Sequence, residues 1–317
     1  MLRVALVGIG DAGNHHARAL VAAARRDLLR WTAVVGRDPA RTAAFLTQVD
    51  APANVVPFGD TSAMLAAQVC DAIILATPDG AHVDGVVTAA THGVAVLVEK
   101  PLALDLASAV RARDAAATHG VHLAVGYHHR HHAGHRRVFA ELATWVGRLR
   151  SITVQWAWPD PATHGWRAGA RDARWWALAA LGTHAIDLAM ACAGTDLRAV
   201  TALSLRTPSG VDRAAEVSLQ LGDDVLAHVS VAVTHRAQGR IALSGDGGEI
   251  ELRGTLGARG AGEIVHRATG QPDTPLAFTP IDPYRAQLEA FVAAVPGGFA
   301  PDAALLANID ALERAVK

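Results

Sequence analysis

Short apolar runs alternate with alanine-rich helical stretches over the first 125 or so residues. The runs span residues 4–7, 31–35, 72–76, 95–98 and 122–125. Their length and apolar character predict buried strands, and the segments between them predict helices. Strands that alternate with helices indicate βαβ units and a parallel sheet covered by helices on both faces. Right-handed crossovers then bring the carboxyl ends of the strands to one edge, where ligands bind.

The pattern changes after about residue 150. Strand candidates now follow one another at residues 151–158, 199–205, 215–221, 225–233 and 240–243. Several alternate apolar and polar positions, which is typical of an antiparallel sheet with one solvated face. Helices are expected at 175–193 and 283–295, and a loop at 254–275. We therefore predict an α/β domain over residues 1–125 and an α+β domain over residues 126–317, whose last helix packs back on the first domain.

Composition narrows the class of protein. The chain has 317 residues, a formal net charge of −1, and two cysteines without a CxxC spacing. A near-neutral charge gives no reason to expect nucleic acid as a partner, and the cysteines provide neither a disulfide framework nor a zinc signature. Neither a signal peptide nor a membrane span is evident. We expect a cytoplasmic protein with no membrane partner.

A glycine-rich segment follows the first predicted strand and opens the first predicted helix. It consists of Gly8, Ile9, Gly10, Asp11, Ala12 and Gly13, the GxGxxG pattern. The first glycine permits a tight turn, the second lets the backbone approach a pyrophosphate, and the third allows close packing of helix on strand. The helix N-terminus offers N–H groups and a positive dipole end to phosphates. We expect a dinucleotide site here; the alternative is a merely structural turn.

The end of the second predicted strand bears on the choice of dinucleotide. An NAD site usually has an acidic side chain there to hold the ribose 2′-hydroxyl, but this strand ends in Gly36. Arg37 follows and could bind a 2′-phosphate through its guanidinium group, which favours NADP over NAD. The alternative is that Arg37 is solvated and that Asp38 caps the next helix, with Pro39 at its first position.

Three further segments carry a specific resemblance. Residues 76–82 (Ala-Thr-Pro-Asp-Gly-Ala-His) and 98–102 (Val-Glu-Lys-Pro-Leu) end two predicted strands, and residues 182–187 (Gly-Thr-His-Ala-Ile-Asp) lie in the second domain. Together with the glycine loop and His16, they resemble the glucose–fructose oxidoreductase/inositol dehydrogenase/rhizopine catabolism family, abbreviated Gfo/Idh/MocA. The resemblance covers essentially the whole chain, and the Glu-Lys-Pro segment is its most specific element.

The resemblance implies a doubly wound Rossmann sheet in the first domain and a large, mostly antiparallel sheet in the second. It also implies hydride transfer between the nicotinamide C4 and a sugar-like or polyol-like carbon. A homodimer or homotetramer is expected to form through the second sheet. Besides the glycine loop, the expected cofactor-binding residues are Arg37, Thr77, Pro78, His82, Glu99 and Lys100.

Lys100 is the first catalytic candidate. By resemblance it lies beside the nicotinamide and the reacting oxygen. A lysine there can stabilise alkoxide charge and exchange a proton, provided that burial or cationic neighbours lower its pKa. In the family the proline peptide that follows this lysine is commonly cis. The alternative is a solvent-facing lysine at a strand end.

His184 is the second catalytic candidate, as a residue of the substrate site. In the family pattern an aspartate stands two residues before the glycine of this segment, and that position is Ala180 here. A histidine can act as acid or base near neutral pH, but this one lacks the carboxylate. Lys100 and His184 could suffice, Asp172 could reach in, or the protein could have lost catalysis. His184 could also be a core histidine, and we expect Asp187 to be structural.

A histidine-rich run spans residues 127–132 (Tyr-His-His-Arg-His-His), and His135 follows. Spacings of three and four residues could place several imidazoles on one helical face, as metal ligands require. Because no cysteine or carboxylate joins them, we expect no native metal site and at most adventitious affinity for nickel. By resemblance, Tyr127 and Arg130 enter the substrate site instead.

Aromatic and cationic side chains cluster between residues 156 and 176. The cluster comprises Trp156, Trp158, Trp166, Trp175, Trp176, Arg167, Arg171 and Arg174. Aromatic faces with guanidinium groups suit a sugar ring or an anionic sugar acid, and they suit a core or a subunit interface equally well. Trp175 and Trp176 replace a glycine pair that is common in the family, which predicts a narrower pocket. The candidate substrate-site residues are Tyr127, Arg130, Trp166, Asp172, Thr183 and His184.

The sequence thus predicts an NAD(P)-dependent dehydrogenase or reductase that acts on CH–OH groups of a small carbohydrate-like substrate. The alternative is a non-catalytic sensor of dinucleotide or sugar on the same fold. Ala180 motivates this alternative, and Lys100 opposes it because a sensor has no need of that ammonium group. A metalloprotein built on the histidine run is a third possibility, which stoichiometric metal in untagged protein would support.

Overall fold

The computed structural model describes residues 1–160, 174–300 and 302–316. The chain forms two compact units. The first consists of Met1–Gly126 and Tyr284–Asp302, and the second of Tyr127–Pro283 and Ala303–Lys317. Throughout these described ranges, every helix falls short of the length and apolar character that a membrane span requires.

A six-stranded sheet forms the centre of the first unit. Its strands are β1 (Arg3–Val7), β2 (Arg30–Val35), β3 (Val56–Phe58), β4 (Ala72–Leu75), β5 (Ala95–Val98) and β6 (Leu123–Val125). They pair in the order β3-β2-β1-β4-β5-β6, and every pair is parallel. The helices between them are α1 (Asp11–Ala24), α2 (Pro39–Gln48), α3 (Thr61–Ala66), α4 (His82–Thr91) and α5 (Leu106–Thr118). This is the strand order of a Rossmann domain, so the predicted fold class is confirmed.

The central strands are buried on both faces, as their continuous apolar sequences require. All four residues of β4 and of β5 are buried. Backbone hydrogen bonds continue the sheet just past the strand ends: the Ala76 amide donates to the Val7 carbonyl at 2.8 Å, and the Glu99 amide to the Leu75 carbonyl at 2.9 Å. The residues that follow β1, β4 and β5 therefore lie together at the carboxyl edge of the sheet.

An eight-stranded sheet forms the second unit. Its strands are β7 (Leu149–Ala157), β8 (Leu197–Arg206), β9 (Asp212–Leu221), β10 (Val225–Ala232), β11 (Ala237–Gly245), β12 (Gly248–Arg253), β13 (Glu263–Ala268) and β14 (Thr274–Pro275). Their order is β14-β13-β12-β11-β7-β10-β9-β8, and only the β7–β10 pair is parallel. The predicted mostly antiparallel sheet is confirmed. The loop predicted at 254–275 was wrong in part, because it contains β13 and β14.

Four further α-helices lie in the described part of the chain. In the second unit, α6 (Ala133–Val146) packs against β12, and α7 (Thr183–Ala193) follows directly on a π-helical turn at Leu178–Gly182. Helix α8 (Pro283–Ala294) belongs, from Tyr284 onward, to the first unit. The last helix, α9 (Ala303–Arg314), belongs to the second unit, where it packs against α7 and β8.

Candidate functional site

The glycine loop of the first unit has the geometry that close approach of a ligand requires. Gly8 has φ +103°, and a Cβ built on it would lie 2.2 Å from the Ala76 carbonyl oxygen. A Cβ on Gly13 would lie 2.3 Å from the Gly8 carbonyl oxygen. A Cβ on Gly10 would meet no described heavy atom within 4 Å, although Gly10 is the N-cap of α1. Packing therefore explains the first and third glycines, whereas the second borders open space at the positive end of a helix.

The loop after β4 lies at the same sheet edge and carries Thr77 and Pro78. The Thr77 hydroxyl oxygen is buried, and among the described residues it has no hydrogen-bond partner. A buried hydroxyl costs free energy unless something pairs with it, so this group is suited to a bound ligand. The open space at Gly10 and this hydroxyl both fit a dinucleotide.

The end of β2 explains why no acidic residue stands there. A Cβ on Gly36 would lie 2.2 Å from the Thr42 hydroxyl oxygen and 3.1 Å from Ile9 Cδ1, so a larger residue would have to displace the Thr42 side chain. The Asp38 carboxylate accepts a hydrogen bond from the Arg41 amide at 3.0 Å and caps α2. The capping role that we considered for Asp38 is thus confirmed. Arg37 itself is exposed to solvent.

Lys100 lies two residues after the end of β5, and its neighbour Glu99 is buried inside the unit. His16 Nε2 lies within hydrogen-bond distance of Glu99 Oε1, at 2.8 Å. The Lys100 backbone amide donates a hydrogen bond to Glu99 Oε2 at 3.2 Å. Both side chains are buried, at 0% exposure for His16 and 6% for Glu99. The Lys100–Pro101 peptide is cis, as the resemblance implied. Glu99 and His16 therefore fix the backbone from which the half-buried Lys100 side chain projects.

The electrostatics of Glu99 follow from this pairing. Burial alone would raise the pKa of its carboxyl group. The hydrogen bond and charge of His16, with the charges of Lys100 and His82, more than offset this and hold the pKa below its usual value. The carboxylate is therefore kept ionised directly beside Lys100.

His82 joins two of the loops at this edge. Its Nδ1 contacts the Pro101 carbonyl oxygen at 2.7 Å, and its Nε2 contacts the Thr77 carbonyl oxygen at 2.9 Å. The ring is fully buried. Because both nitrogens contact backbone oxygens, His82 holds the loops after β4 and β5 at a fixed separation.

A second polar constellation lies within the second unit, at the start of α7. The Tyr127 hydroxyl contacts the Thr183 hydroxyl at 3.2 Å, and that hydroxyl donates to Asn308 Oδ1 at 2.8 Å. Asn308 Nδ2 in turn donates to the Thr183 carbonyl at 2.9 Å. The sequence analysis missed Asn308 because it lies 125 residues from Thr183 and no motif marks it. This network fixes the first turn of the helix that carries His184.

Three histidine side chains meet beside Tyr127. His128, His129 and His184 are all buried, and one ring nitrogen of each lies within 4.8 Å of the others. The ring centroid of His184 lies 4.8 Å from that of His128 and 4.7 Å from that of His129. The Trp156 indole packs edge-on against His129, with ring centroids 5.3 Å apart. The helical-face spacing considered in the sequence does not create this cluster, which combines two adjacent residues with one from a distant helix.

The other histidines of the run have different surroundings. His132 caps α6, since its Nδ1 accepts from the Gly134 and His135 amides at 3.1 and 3.4 Å. Burial lowers the pKa of His135 to about 3, and burial with two nearby arginines lowers the pKa of His131 to about 4. These two side chains are therefore neutral at physiological pH.

Arg130 forms a bidentate ion pair with Asp187, with contacts of 2.5 to 3.0 Å. The Asp187 side chain is 1% exposed and the Arg130 side chain 27% exposed. A buried carboxylate paired in this way holds the arginine in one position. The predicted substrate contact of Arg130 can thus involve only the part of its guanidinium that faces solvent.

The tryptophans of the second unit are largely structural where the structure describes them. Trp175 is 0% exposed and Trp176 is 8% exposed, and the Trp176 amide donates to the Asp212 carboxylate at 2.9 Å. Both belong to the core, in line with one of the alternatives that the sequence left open. Trp158 is 51% exposed beneath the Arg236 guanidinium. The candidate substrate residues Trp166 and Asp172 lie outside the described residues.

Known protein families match the sequences of both units. A family model described as the oxidoreductase family with NAD-binding Rossmann fold matches residues 2–127, and one for the GFO/IDH/MocA C-terminal domain matches residues 143–251. The rhizopine catabolism protein MocA of Rhizobium meliloti is 30% identical over 302 residues, which cover 93% of this chain and 87% of that protein. D-xylose 1-dehydrogenase (NADP(+)) 2 of Haloferax volcanii is 25% identical over 304 residues, which cover 93% and 90%.

A solved structure shows the same fold along nearly the whole chain. The 3-ketoreductase KijD10 of Actinomadura kijaniata, in complex with NADP and TDP-benzene, matches with a TM-score of 0.87 and 23% identity over 99% of this chain and 97% of that one. The fold, the two family models and the MocA relative agree with the motifs quoted from the sequence. The chain belongs to the Gfo/Idh/MocA family of NAD-binding oxidoreductases.

Proposed function

We propose that this protein is an NAD(P)-dependent dehydrogenase or reductase that moves a hydride between the nicotinamide and a CH–OH carbon of a sugar-like or polyol-like substrate. The placement of Lys100 carries the proposal. Lys100 lies at the sheet edge that bears the glycine loop, and a buried Glu99–His16 pair fixes its backbone. The names of the relatives, among them a D-xylose dehydrogenase, support a carbohydrate-like substrate.

Composition adds a second argument for Lys100. The chain has 29 lysine and arginine residues, and only Lys100 and Lys317 are lysines. Arginine thus supplies positive charge almost everywhere else, although it cannot exchange its proton at neutral pH. Lysine provides what arginine cannot, namely an amino group that both bears a proton and releases it.

The residues divide the chemistry as follows. A bound dinucleotide would accept or supply the hydride, with its pyrophosphate at Gly10 and at the N-terminus of α1. The Lys100 amino group would take the proton of the substrate hydroxyl during oxidation and return it during reduction, and its charged form would stabilise alkoxide character at that oxygen. We assign to His184 of the second unit a contact with the substrate. The network at Thr183 would hold that imidazole in place.

We further propose that the cofactor is NADP rather than NAD. Gly36 leaves no acidic side chain to hold a ribose 2′-hydroxyl, and the exposed Arg37 can pair with a 2′-phosphate. The name of the Haloferax volcanii relative, which specifies NADP(+), favours the same choice.

Two variants of one residue test the assignment of Lys100. Lys100→Ala removes the amino group, and Lys100→Arg keeps a positive charge that cannot exchange its proton. With a panel of aldoses and inositols and nicotinamide absorbance as the readout, we expect both variants to lose about 10³-fold or more in kcat. The dissociation constant of the dinucleotide should change by less than about threefold, that is, by under about 0.7 kcal/mol.

The outcomes separate the alternatives. Full activity of Lys100→Ala would refute the role of the lysine. Tight dinucleotide binding by the wild type without turnover of any sugar or polyol would instead favour the sensor. Activity of Lys100→Arg near the wild-type value would show that charge alone is needed, without proton exchange.

We also propose that the protein forms a homodimer or homotetramer through the eight-stranded sheet. Leu203, Leu205 and Leu226 are 79%, 71% and 66% exposed, and the strand register places them on one face of β8 and β10. Large apolar side chains exposed on one face of a sheet favour self-association. Leu203→Glu with Leu226→Glu should reduce the molar mass measured by light scattering to that of one chain. A wild-type protein that is monomeric would contradict the proposal.

A further inference from the structure

The histidine cluster of the second unit offers more donors than hydride transfer uses. The proposed function assigns a substrate contact to His184 alone and leaves His128 and His129 without a role. All three imidazoles are buried, at 5% exposure for His128, 0% for His129 and 2% for His184. His128 and His129 are adjacent in a short 3₁₀ turn, where consecutive residues point about 120° apart, yet their ring centroids lie 4.2 Å from each other. The two rings thus converge on His184.

The distances suit a shared ion. Because the three ring nitrogens lie within 4.8 Å of one another, a point exists that is at most about 2.8 Å from each of them (4.8 Å divided by √3). Zinc–imidazole bonds measure about 2.0–2.1 Å. Each nitrogen would have to move inward by no more than about 0.8 Å, which small rotations of the rings can provide.

The donor chemistry narrows the class of ion. Three imidazoles with no carboxylate among them suit borderline transition metals, and do not suit magnesium or calcium, which prefer oxygen ligands. Three protein ligands also leave one tetrahedral position open, which is the pattern of reactive zinc sites rather than structural ones. Neighbouring residues hold the proposed ligands in place. The Trp156 indole packs on His129, and the hydrogen bonds of Thr183 fix the first turn of the helix that carries His184.

We propose that His128, His129 and His184 bind one divalent transition-metal ion, Zn²⁺ foremost, with a fourth position open to water or another oxygen ligand. The proposal replaces the expectation of no native metal site. That expectation considered spacings of three and four residues within one helix, whereas the structure joins neighbours in one turn to a residue from α7. The ion-binding property belongs to the second unit alone and does not depend on the proposed hydride transfer.

The test uses the full chain without a histidine tag, freed of metal by dialysis against a chelator and assayed without dinucleotide or sugar. Titration with Zn²⁺ is followed by calorimetry, and titration with Co²⁺ by its visible absorption, which is intense only for tetrahedral sites. The variants are His129→Ala and His184→Ala. His131→Ala is the matched control, because His131 belongs to the same run but not to the cluster.

We expect one equivalent of Zn²⁺ per chain and a tetrahedral Co²⁺ spectrum in the wild type and in His131→Ala. Loss of an outer-sphere partner alone costs 10–100-fold in affinity, so loss of a ligand should weaken binding by about 100-fold or more in His129→Ala and His184→Ala. Zn²⁺ should also raise the melting temperature of the wild type and the control, but not of the two ligand variants.

Two results would overturn the site: sub-stoichiometric binding by the wild type, or equal binding by all four proteins, which would mark an adventitious ion only. If a ligand variant fails to fold, X-ray absorption of the zinc-loaded wild type decides. Three imidazole nitrogens at about 2.0–2.1 Å support the site, and oxygen-only ligation refutes it. Since none of these measurements requires turnover, metal binding stands even if no sugar is oxidised, and its absence leaves hydride transfer untouched.

Discussion

Replacing His16 by leucine should reverse the sign of the pH dependence that Glu99 gives to the first unit. In the wild type the pKa of Glu99 is held below its usual value, so this residue contributes stability at pH values above about 4.5, and the contribution is lost as the pH falls through the lowered pKa. Between pH 5 and pH 8 the carboxyl group is ionised in both the folded and the unfolded chain. Over that window Glu99 should therefore add no slope to the stability.

Without His16 the same carboxylate stays buried but loses its strongest partner. Burial, which only Lys100 and His82 then oppose, should raise its pKa above the unfolded value, so that the folded state holds a proton or bears an incompletely compensated charge. Stability should consequently fall with rising pH above about 4.5, by at most about 1.4 kcal/mol per pH unit. At pH 7 the loss should reach about 3–5 kcal/mol, the usual cost of breaking a buried pair at one end.

Native-state hydrogen exchange measures this loss in the first unit separately. The opening free energy of peptides from β1 and β4 should fall in His16→Leu, and peptides from β9 of the second unit serve as the internal reference. His15→Leu is the matched control. The His15 ring stacks on Tyr284 at 4.8 Å, and the His16 ring meets the same tyrosine edge-on at 5.1 Å. Loss of that stacking should cost only about 1 kcal/mol, without a change of slope.

The double variant His16→Leu with Glu99→Leu separates charge from packing. Removing both partners leaves no buried charge, so much of the lost stability should return and the slope should vanish. If His16→Leu shows the same slope as the wild type between pH 5 and pH 8, the ionised state that we assign to Glu99 is wrong. Equal losses in His15→Leu and His16→Leu would show that only the contact with Tyr284 matters.

Three other predictions concern substitutions in the glycine loop, at Arg37 and at Glu251. Gly13→Ala should destabilise the first unit, because its Cβ would lie 2.3 Å from the Gly8 carbonyl oxygen, whereas Gly10→Ala should melt like the wild type but lose about tenfold or more in dinucleotide affinity by calorimetry. Arg37→Ala should weaken NADP binding about 10–100-fold and leave NAD binding unchanged in the same assay. Burial would raise the pKa of Glu251, but three arginine partners lower it to about 2. Glu251→Gln should therefore lower the free energy of unfolding, measured with urea, by about 2 kcal/mol above about pH 4.5. This difference from the wild type should disappear as the pH falls toward 2.

Local sequence was enough to predict the first sheet because its determinants are local. Continuous apolar runs predicted five of its strands, and the glycine loop predicted that a helix follows β1. The exception is β3, whose three residues, Val56–Phe58, include a proline and are partly exposed. In the second unit β13 was missed because its sequence is surrounded by glycines and prolines that are typical of loops. Its pairing with β12, not its own composition, makes it a strand.

The candidate sites show the same division between local and distant determinants. Glu99, Lys100 and the cis peptide follow from one contiguous motif, which the sequence displays directly. The pairing of His16 with Glu99 joins residues 83 positions apart, and the bond between Thr183 and Asn308 joins residues 125 positions apart. Periodicity carries no information about such distances. Sequence motifs marked His16, Glu99 and Thr183 singly, missed Asn308, and could not show which residues contact each other.

Ala180 stands where the family pattern has an aspartate, and the surroundings of His184 bear on what this difference implies. By family resemblance, the absence of a carboxylate at this position deprives His184 of a partner and raises the possibility of lost catalysis. In the structure, however, two buried imidazoles, His128 and His129, lie within ring-contact distance of His184. A carboxylate would bring a negative charge beside His184, whereas an imidazole adds no negative charge and can offer a ring nitrogen as a metal ligand. The histidine pair at 128–129 therefore gives His184 close ring partners that the absence of a carboxylate at position 180 would not by itself suggest. Restoring the carboxylate with Ala180→Asp should change the Co²⁺ spectrum of the histidine cluster. An unchanged spectrum would show that the residue at position 180 does not affect metal binding by these histidines.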